Sequence, residues 1–399
     1  MPLARPGEPV QSRSVRKVPD AALADLRILD FSRVLAGPLA TMVLADLGAT
    51  VIKVERPGIG DETRAWGPPF DAAGQATYFQ AINRNKVNVI LDLGDPSDQA
   101  RARELAAGAD VVVENFRPGV MRRLGLDDEG LRAANPALVY CSITGFGAGR
   151  GAALPGYDLL VQALGGLMSI TGESDGEPQK VGVAIVDVVA GLFASVGILA
   201  ALRHRDRTGE GQRVEVDLLS SLLAGLVNQA SAYTGAGVVA GRMGNAHPSI
   251  APYALFRAAD GELAIAVGND KQFAALCGAL GVPELELDPR FATNPARVAH
   301  RDELRDLLER ALAPHPAAEW ATRLHEAGVP AGKVNDIAEA FALAAELGLE
   351  PIVEIARPGG APARTTRNPI RLSGTPARYD TAPPRLDDAR DDGWPSRPG

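Results

Sequence analysis

Between Leu26 and Thr144, short β-branched runs alternate with segments whose Ala and Leu residues recur at helical spacing. The runs at 27–30, 50–54, 87–91, 111–114 and 138–142 predict strands, and the stretches at 38–47, 96–107 and 127–134 predict helices. Strands that take turns with helices build an open, mostly parallel sheet with helices on both faces, a doubly wound α/β layout. Ligands of such sheets gather at the carboxyl ends of the strands. Those ends carry Arg33, Arg56, residues 115–117 and residues 144–146.

The pattern changes after Leu159. A helix-rich stretch runs to about Gly235, paired strands at 253–256 and 263–267 flank the Asp260-Gly261 turn, and helices resume from Lys271 to about Gly328. This part predicts a smaller α+β domain. From about Pro351 the chain turns strand-like and Pro-rich, in a manner suited to rejoining the first domain. The expected division is a disordered tail over 1–24, a large domain over 25–225, a small α+β domain over 226–335, and a C-terminal segment over 336–399 returning to the large one.

One charge interrupts the apolar run from Val181 to Leu202, and it is Asp187. An unpaired buried carboxylate costs several kcal/mol, roughly, unless hydrogen bonds or a partner charge compensate. Such a group is a helix cap, an ion-pair partner or a reactive carboxylate. The run is long enough to suggest a membrane span. Asp187, the interrupting Gly182, Gly191 and Gly197, and the lack of a second such run oppose that reading. A buried strand or turn leading into a core helix fits better, with Asp187 near the helix start, where backbone N–H groups favour an anion.

Composition narrows the chemistry. The chain is 46% apolar and 23% charged, ordinary for a globular enzyme, and its net charge of −8 argues against a nucleic-acid partner. Cys141 and Cys277 are too few for a disulfide framework and suit a reducing, cytoplasmic setting. No metal-ligand spacing occurs among the His and Cys residues, so no metal is expected. The first twenty residues hold four basic side chains but also Pro2, Pro6 and Pro9, which fits a basic tail better than a transit helix.

Nucleotide motifs are missing. The Gly-rich loop from Gly145 to Gly151 lacks the third Gly of a dinucleotide fingerprint, and no P-loop or nucleophile elbow is found. The strand ends instead offer scattered cations: Arg33, Arg56, Arg84, Lys86, Arg117, Arg122 and Arg123. Phosphate oxygens are met by such guanidinium forks and ammonium charges, so a phosphorylated carrier such as coenzyme A would suit them. Solvated surface residues are the bland alternative.

Several motifs carry a resemblance. Leu26-Arg-Ile-Leu-Asp-Phe-Ser-Arg-Val-Leu-Ala-Gly-Pro38, Leu47-Gly-Ala-Thr-Val-Ile-Lys-Val-Glu-Arg-Pro57, Asn83-Arg-Asn-Lys86, Glu114-Asn-Phe-Arg-Pro-Gly119, Ser142-Ile-Thr-Gly-Phe-Gly147, Pro155-Gly-Tyr-Asp158 and the Asp187 segment resemble the family III (CaiB/BaiF-type) CoA-transferases. The resemblance spans about Leu26 to Pro384. It implies a Rossmann-like large domain and a smaller domain in a homodimer of interlocked rings. It also implies a nucleophilic carboxylate at Asp187. Coenzyme A contacts are implied at Leu35, Ala36, Arg56, Asn83, Arg84, Asn85, Lys86, Asn115, Phe116, Arg117, Arg123, Thr144, Gly145 and Phe146. Several members carry Lys where this chain has Thr144, a departure at one of those contacts.

A carboxylate can carry an acyl group as a mixed anhydride and then coenzyme A as a thioester, which is what transfer between two acids demands. Backbone N–H groups of the loop from Gly241 to Ser249 are candidates for oxyanion stabilisation, and that loop brings Arg242, Gly244, Asn245 and His247 forward as substrate contacts. His247 fits a turn-stabilising role equally well. The rival within the family is 2-methylacyl-CoA racemisation, which needs two opposed bases. Family racemases place a His where this chain has Tyr157, and a phenol is a poor base near neutral pH. A non-catalytic coenzyme A-binding protein is the alternative of another class. Further motifs, among them Thr63-Arg-Ala-Trp-Gly-Pro-Pro-Phe70 and Gly268-Asn-Asp-Lys-Gln-Phe273, are similar to members acting on short dicarboxylates, with succinyl-CoA as donor and glutarate as acceptor. A second carboxylate calls for a cation, and Arg33, Arg64 and Arg242 are the candidates. The expected partners are thus acyl-CoA, small carboxylic acids and a second copy of the chain, with neither nucleic acid nor membrane.

Overall fold

The computed structural model describes residues 21–358, 360–390 and 393–395. They fall into two compact units: one of residues up to 144, 191–216 and from 353 onward, the other of 145–190 and 217–352.

The first unit is built on a six-stranded sheet of β1 (Arg27–Asp30), β2 (Thr50–Glu55), β3 (Lys86–Ile90), β4 (Val111–Glu114), β5 (Val139–Thr144) and β6 (Arg213–Asp217), ordered β3-β2-β1-β4-β5-β6. The β1–β2, β1–β4, β2–β3 and β4–β5 pairs are parallel, with Leu29 opposite both Ile52 and Val112. The central strands β1, β2, β4 and β5 are buried almost throughout, as strands covered on both faces are. Leu29, Phe31, Ile52, Val112, Leu105 and Tyr140 share one core. The helix Pro96–Ala107 starts where Asp95 accepts the N–H groups of Ser97 and Asp98, with Pro in its first turn. Because the strand order reverses between β1 and β4, a crevice opens at their carboxyl ends.

The long helix Ile185–Thr208 is apolar enough to span a bilayer by length and composition, yet 44% of its most apolar window is buried inside the fold. Within the first unit it runs close to the helix Ala36–Asp46. A Cβ on Gly191 would stand 2.6 Å from the Ala36 carbonyl oxygen, so only Gly permits that approach.

The second unit carries an antiparallel sheet of β7 (Tyr253–Arg257), β8 (Glu262–Ala266) and β9 (Ala331–Lys333). Helices Asp270–Leu280, Arg301–Leu312 and Ala317–Glu326 cover it, closing a core of Phe256, Ile265, Phe273, Leu276, Leu308 and Trp320. Back in the first unit, β10 (Ile352–Arg357) pairs with β11 (Gly360–Thr366).

The structure differs from the expected elements and boundaries in several places. The helix-rich stretch also contains β6, whose Arg-Val-Glu-Val-Asp alternation suits an edge strand. Of the strand or turn expected before Asp187, the structure has a bend: residues 181–184 are irregular and the helix begins at Ile185. Residues 145–190 and 217–225, expected in the large domain, group with the second unit, as does the helix Ile337–Glu346. The helix Asp158–Leu164 lies on the helix Leu218–Gly225, where a Cβ on Gly165 would meet Leu222 at 2.4 Å, and Leu219 N–H donates to the Gly145 carbonyl at 3.1 Å. Of the expected tail, residues 1–20 lie outside the described residues. Ala21 is 2% exposed, and Leu23 N–H donates to Leu47 at 3.0 Å, so 21–24 belong to the folded unit.

Candidate active site

Asp187 sits in the first turn of the helix Ile185–Thr208, but it is not the cap. That task falls to Asp158, the first residue of the helix Asp158–Leu164. Asp158 Oδ2 accepts the backbone N–H of Val186 at 2.8 Å and of Asp187 at 3.3 Å. Its other oxygen accepts from Gln162 Nε2, and Gln162 Oε1 accepts the Val181 N–H at 2.9 Å. Gln162 is fully buried, so it fixes both Asp158 and the approach to the helix.

The Asp187 side chain is left without a hydrogen bond or ion pair among the described residues. Burial, with a smaller contribution from the like charge of Asp158, pushes its carboxyl up to about 7. Two carboxylates at one helix start thus divide the work: one holds the backbone, and the other stays free and close to its ionisation point at neutral pH.

The motif from Ser142 to Gly147 meets the motif from Pro155 to Asp158 backbone to backbone. A Cβ on Gly145 would lie 2.4 Å from Gly156 Cα. Gly145 and Phe146 are half-buried there, and Tyr157 beside them is 64% exposed. Thr144 ends β5.

In the first unit the crevice at the β1–β4 reversal is closed at its base by Asn115. Its Oδ1 accepts the Arg33 N–H at 2.8 Å and its Nδ2 donates to the Arg33 carbonyl at 2.7 Å. A pocket of about 210 Å³ opens beside it, lined by Phe31, Arg33, Val54, Arg56, Leu93 and Phe116 among others. Arg33 lies over the Phe116 ring at 4.8 Å and pairs with Glu62 at 2.7 Å, while Arg56 reaches Glu62 only at 3.6 Å. Lys53 and the carboxylates Glu55, Asp61 and Asp92 line it too. The apolar walls suit a planar base, and Arg33 and Arg56 are the groups that suit its phosphates. Residues 91–94, after β3, also line this pocket; no motif in the sequence marks them, and their position at a strand end was the available signal. Leu35 precedes the helix Ala36–Asp46, Ala36 is buried in its first turn, and Arg117 and Arg123 are exposed.

Four expected contacts are corrected. Lys86 and Asn83 are fully buried, Lys86 being paired with Asp30 at 3.0 Å and donating to Asn83 Oδ1 at 3.0 Å. Arg84 forks onto Asp46 at 2.6 and 2.9 Å with 3% of its side chain exposed. Arg64 forks onto Glu55, both bonds 2.7 Å, and lies over Phe79. Lys86, Asn83 and Arg84 present no free group to a ligand, and Arg64 has its Nε and one terminal nitrogen committed to Glu55. Asn85, with φ of 59°, is half-buried and tied to Asp46 and to the backbone of Arg378, Asp380 and Thr381.

The loop from Gly241 to Ser249 is fastened within the second unit. Arg242 donates to the carbonyls of Glu173 and Gly176 at 3.1 and 2.7 Å, and Gly244 N–H to Gly172 at 3.0 Å. Arg242, Gly244 and Asn245 line a cleft of about 610 Å³ together with Glu173, Tyr253 and Arg301; Asp187 is not among its lining residues. His247 takes the turn role: its Nδ1 accepts the Ser249 N–H at 3.1 Å and its ring lies 5.2 Å from that of Tyr253.

Residues 23–390 match CoA-transferase family III, and the chain belongs to that family of enzymes. It is 48% identical over 326 residues to the succinate–glutarate CoA-transferase of Agrobacterium fabrum, covering 80% of this chain and 82% of that one. It is 42% identical to the acetyl-CoA:oxalate CoA-transferase of Acetobacter aceti, over 89% of this chain and 90% of that one. The crystal structure of a CaiB/BaiF family protein from Brucella suis superposes with a TM-score of 0.82 at 44% identity, covering 93% of this chain and 97% of that one.

Proposed function

We propose that this enzyme moves coenzyme A from succinyl-CoA to glutarate through a covalent intermediate on Asp187. The observation that carries the reading is the free, desolvated Asp187 carboxyl beside a second carboxylate that does the capping. Relatives that use glutarate and oxalate as acceptors support a short dicarboxylate.

The steps balance without an outside reagent. An Asp187 oxygen attacks the succinyl thioester carbonyl, and the C–S bond breaks, giving a mixed anhydride and coenzyme A thiolate. The thiolate attacks the aspartyl carbonyl and expels succinate, leaving an aspartyl-CoA thioester. A glutarate carboxylate then attacks that thioester, and the released thiolate takes the glutaryl group from the new anhydride. The products are glutaryl-CoA and the Asp187 carboxylate.

Coenzyme A is assigned to Leu35, Ala36, Arg56, Asn115, Phe116, Arg117, Arg123, Thr144, Gly145 and Phe146, with its base in the pocket beside Phe116. Tyr157 and the loop bearing Gly244 and Asn245 are assigned to the acids, with Arg242 as the cation for a distal carboxylate. An interlocked homodimer is supported by Leu192, Phe193 and Val196, which stand 49, 46 and 64% exposed on one helix, an apolar surface that a second copy would cover. The free, buried Cys141 and Cys277 suit a cytoplasmic setting.

The test is Asp187→Ala assayed with succinyl-CoA and glutarate. Transfer should fall on the order of a thousandfold or more with the fold intact. Retention of most activity would end the assignment.

A further inference from the structure

Two ammonium groups lie with no exposure beneath the loop that leaves β1. Lys53, on β2, donates to the Ser32 carbonyl at 2.8 Å and pairs with Asp61 at 2.9 Å. Lys86, on β3, donates to the Pro38 carbonyl at 2.9 Å and pairs with Asp30 at 3.0 Å. The carbonyls on either side of residues 33–37 are therefore each held by a buried cation. Asp30 completes the clamp. It accepts the Ser32 N–H at 2.9 Å, the Ser32 hydroxyl, and the Thr41 hydroxyl at 2.6 Å.

The clamped residues are conformationally costly. Val34 has φ of 68°, a left-handed backbone that a β-branched residue adopts only when its surroundings impose it. Its N–H points to Asp61 Oδ1 at 3.4 Å, the same carboxylate that holds Lys53. Buried ion pairs are seldom worth more to stability than apolar replacements, so stability alone gives no reason for two of them here. What they do supply is direction: each pins one carbonyl oxygen at one place.

We propose that Lys53 and Lys86 are positioning residues for coenzyme A, their buried ammonium groups spent on holding residues 33–37 in the strained conformation that receives it, although Lys53 also lines the pocket. This rests on the reading that the crevice beside Phe116 binds coenzyme A. It also accounts for a motif, Asn83 to Lys86, whose charges are buried away from any phosphate.

The groups facing Lys86 are Asp30 on β1, Lys53 on β2, Asp61 after β2, and the neutral Asn83 and Thr41. Burial pushes the Lys86 ammonium down to about 8, with Asp30 opposing and Lys53 adding to the fall. The Lys53 ammonium feels the same burial, but Asp61, Asp30 and Glu55 together lift it above its ordinary value. Lys86 is therefore the one that loses its proton first.

The test measures coenzyme A binding by calorimetry and the KM for succinyl-CoA and glutarate in full-length enzyme. Lys86→Met should weaken coenzyme A and raise the KM for succinyl-CoA about tenfold or more, with kcat and the glutarate KM within about twofold. Lys86→Arg should restore part of the loss. In wild type the KM for succinyl-CoA should climb above pH about 8, and Lys86→Arg should flatten that climb. The paired variant Asp30→Asn with Lys86→Met removes both charges and serves if the single variant does not fold; the wild-type pH profile decides if neither does. An unchanged succinyl-CoA KM in folded variants, or equal losses for both substrates, overturns the proposal. Arg56→Ala and Phe116→Ala separate the two readings. If they leave coenzyme A affinity intact, the crevice itself is misassigned; if they weaken it while Lys86→Met does not, only the positioning role falls.

Discussion

Asp158 accepts the backbone N–H of Asp187 at 3.3 Å, so the carboxylate that caps the helix is not the carboxylate left free. The two roles have opposite electrostatic needs. A capping anion gains from the helix start, whereas its charge makes ionisation of a neighbouring acid harder.

This division predicts a pH profile. With Asp187 pushed up to about 7, its nucleophilic form is the minority below that pH. The transfer rate should rise through an apparent pKa near 7. Asp158→Asn keeps an oxygen to accept the amide hydrogens and removes the like charge. Its acid limb should move down by about 0.5–1 pH unit. A limb that stays in place would mean that Asp158 does not influence Asp187.

The same shift has a consequence for stability, with a definite sign. A carboxyl raised from 3.8 to about 7 holds its proton in the folded state at pH values where the unfolded chain has lost it. Stability from this group is present below about pH 4 and is lost as pH rises to about 7. Asp187→Asn removes the cost of the buried charge, so the variant should be more stable than wild type at pH 8, by about 1–3 kcal/mol. The gain should vanish near pH 4. Thermal unfolding of both forms across this range checks it.

Dicarboxylate selectivity should follow Arg242 and not Arg64. Arg242 is held only by backbone carbonyls, which leave its charge unneutralised. Arg242→Met should cost glutarate about tenfold to a hundredfold relative to butyrate. Arg64→Met should leave that ratio unchanged and instead destabilise the protein by about 1.5–3 kcal/mol, since it removes the guanidinium fork from buried Glu55, which keeps the Asp61 N–H at 2.9 Å. Acceptor competition assays and melting curves distinguish the two.

Racemisation is not expected. The resemblance implies that Tyr157, 64% exposed, takes the place of a racemase's His; on that reading the second base is missing, and the α-hydrogen of a 2-methylacyl-CoA should not exchange with deuterated solvent during turnover. Exchange at the turnover rate, followed by mass, would restore the racemase reading.

The parallel sheet was legible because its strands are short β-branched runs: β1 and β4 start and stop where the pattern says. β6 was not, because every second residue of it is charged. Asp187 stood out as a lone charge in an apolar run, yet its cap is 29 residues away in sequence, beyond any local pattern. The motif at Asn83–Lys86 misled for the same reason. Lys86 finds Asp30 across 56 residues and Arg84 finds Asp46 across 38, so the pairing that buries them is a property of the sheet and its helix.

A covalent bond to Asp187 is measured most directly by peptide mass mapping after exposure to succinyl-CoA. Enzyme quenched during turnover should carry coenzyme A on the peptide containing Asp187. Hydroxylamine should convert that side chain, and no other carboxylate, to the hydroxamate. Turnover with no adduct at Asp187, or an adduct on a different carboxylate, would contradict the account.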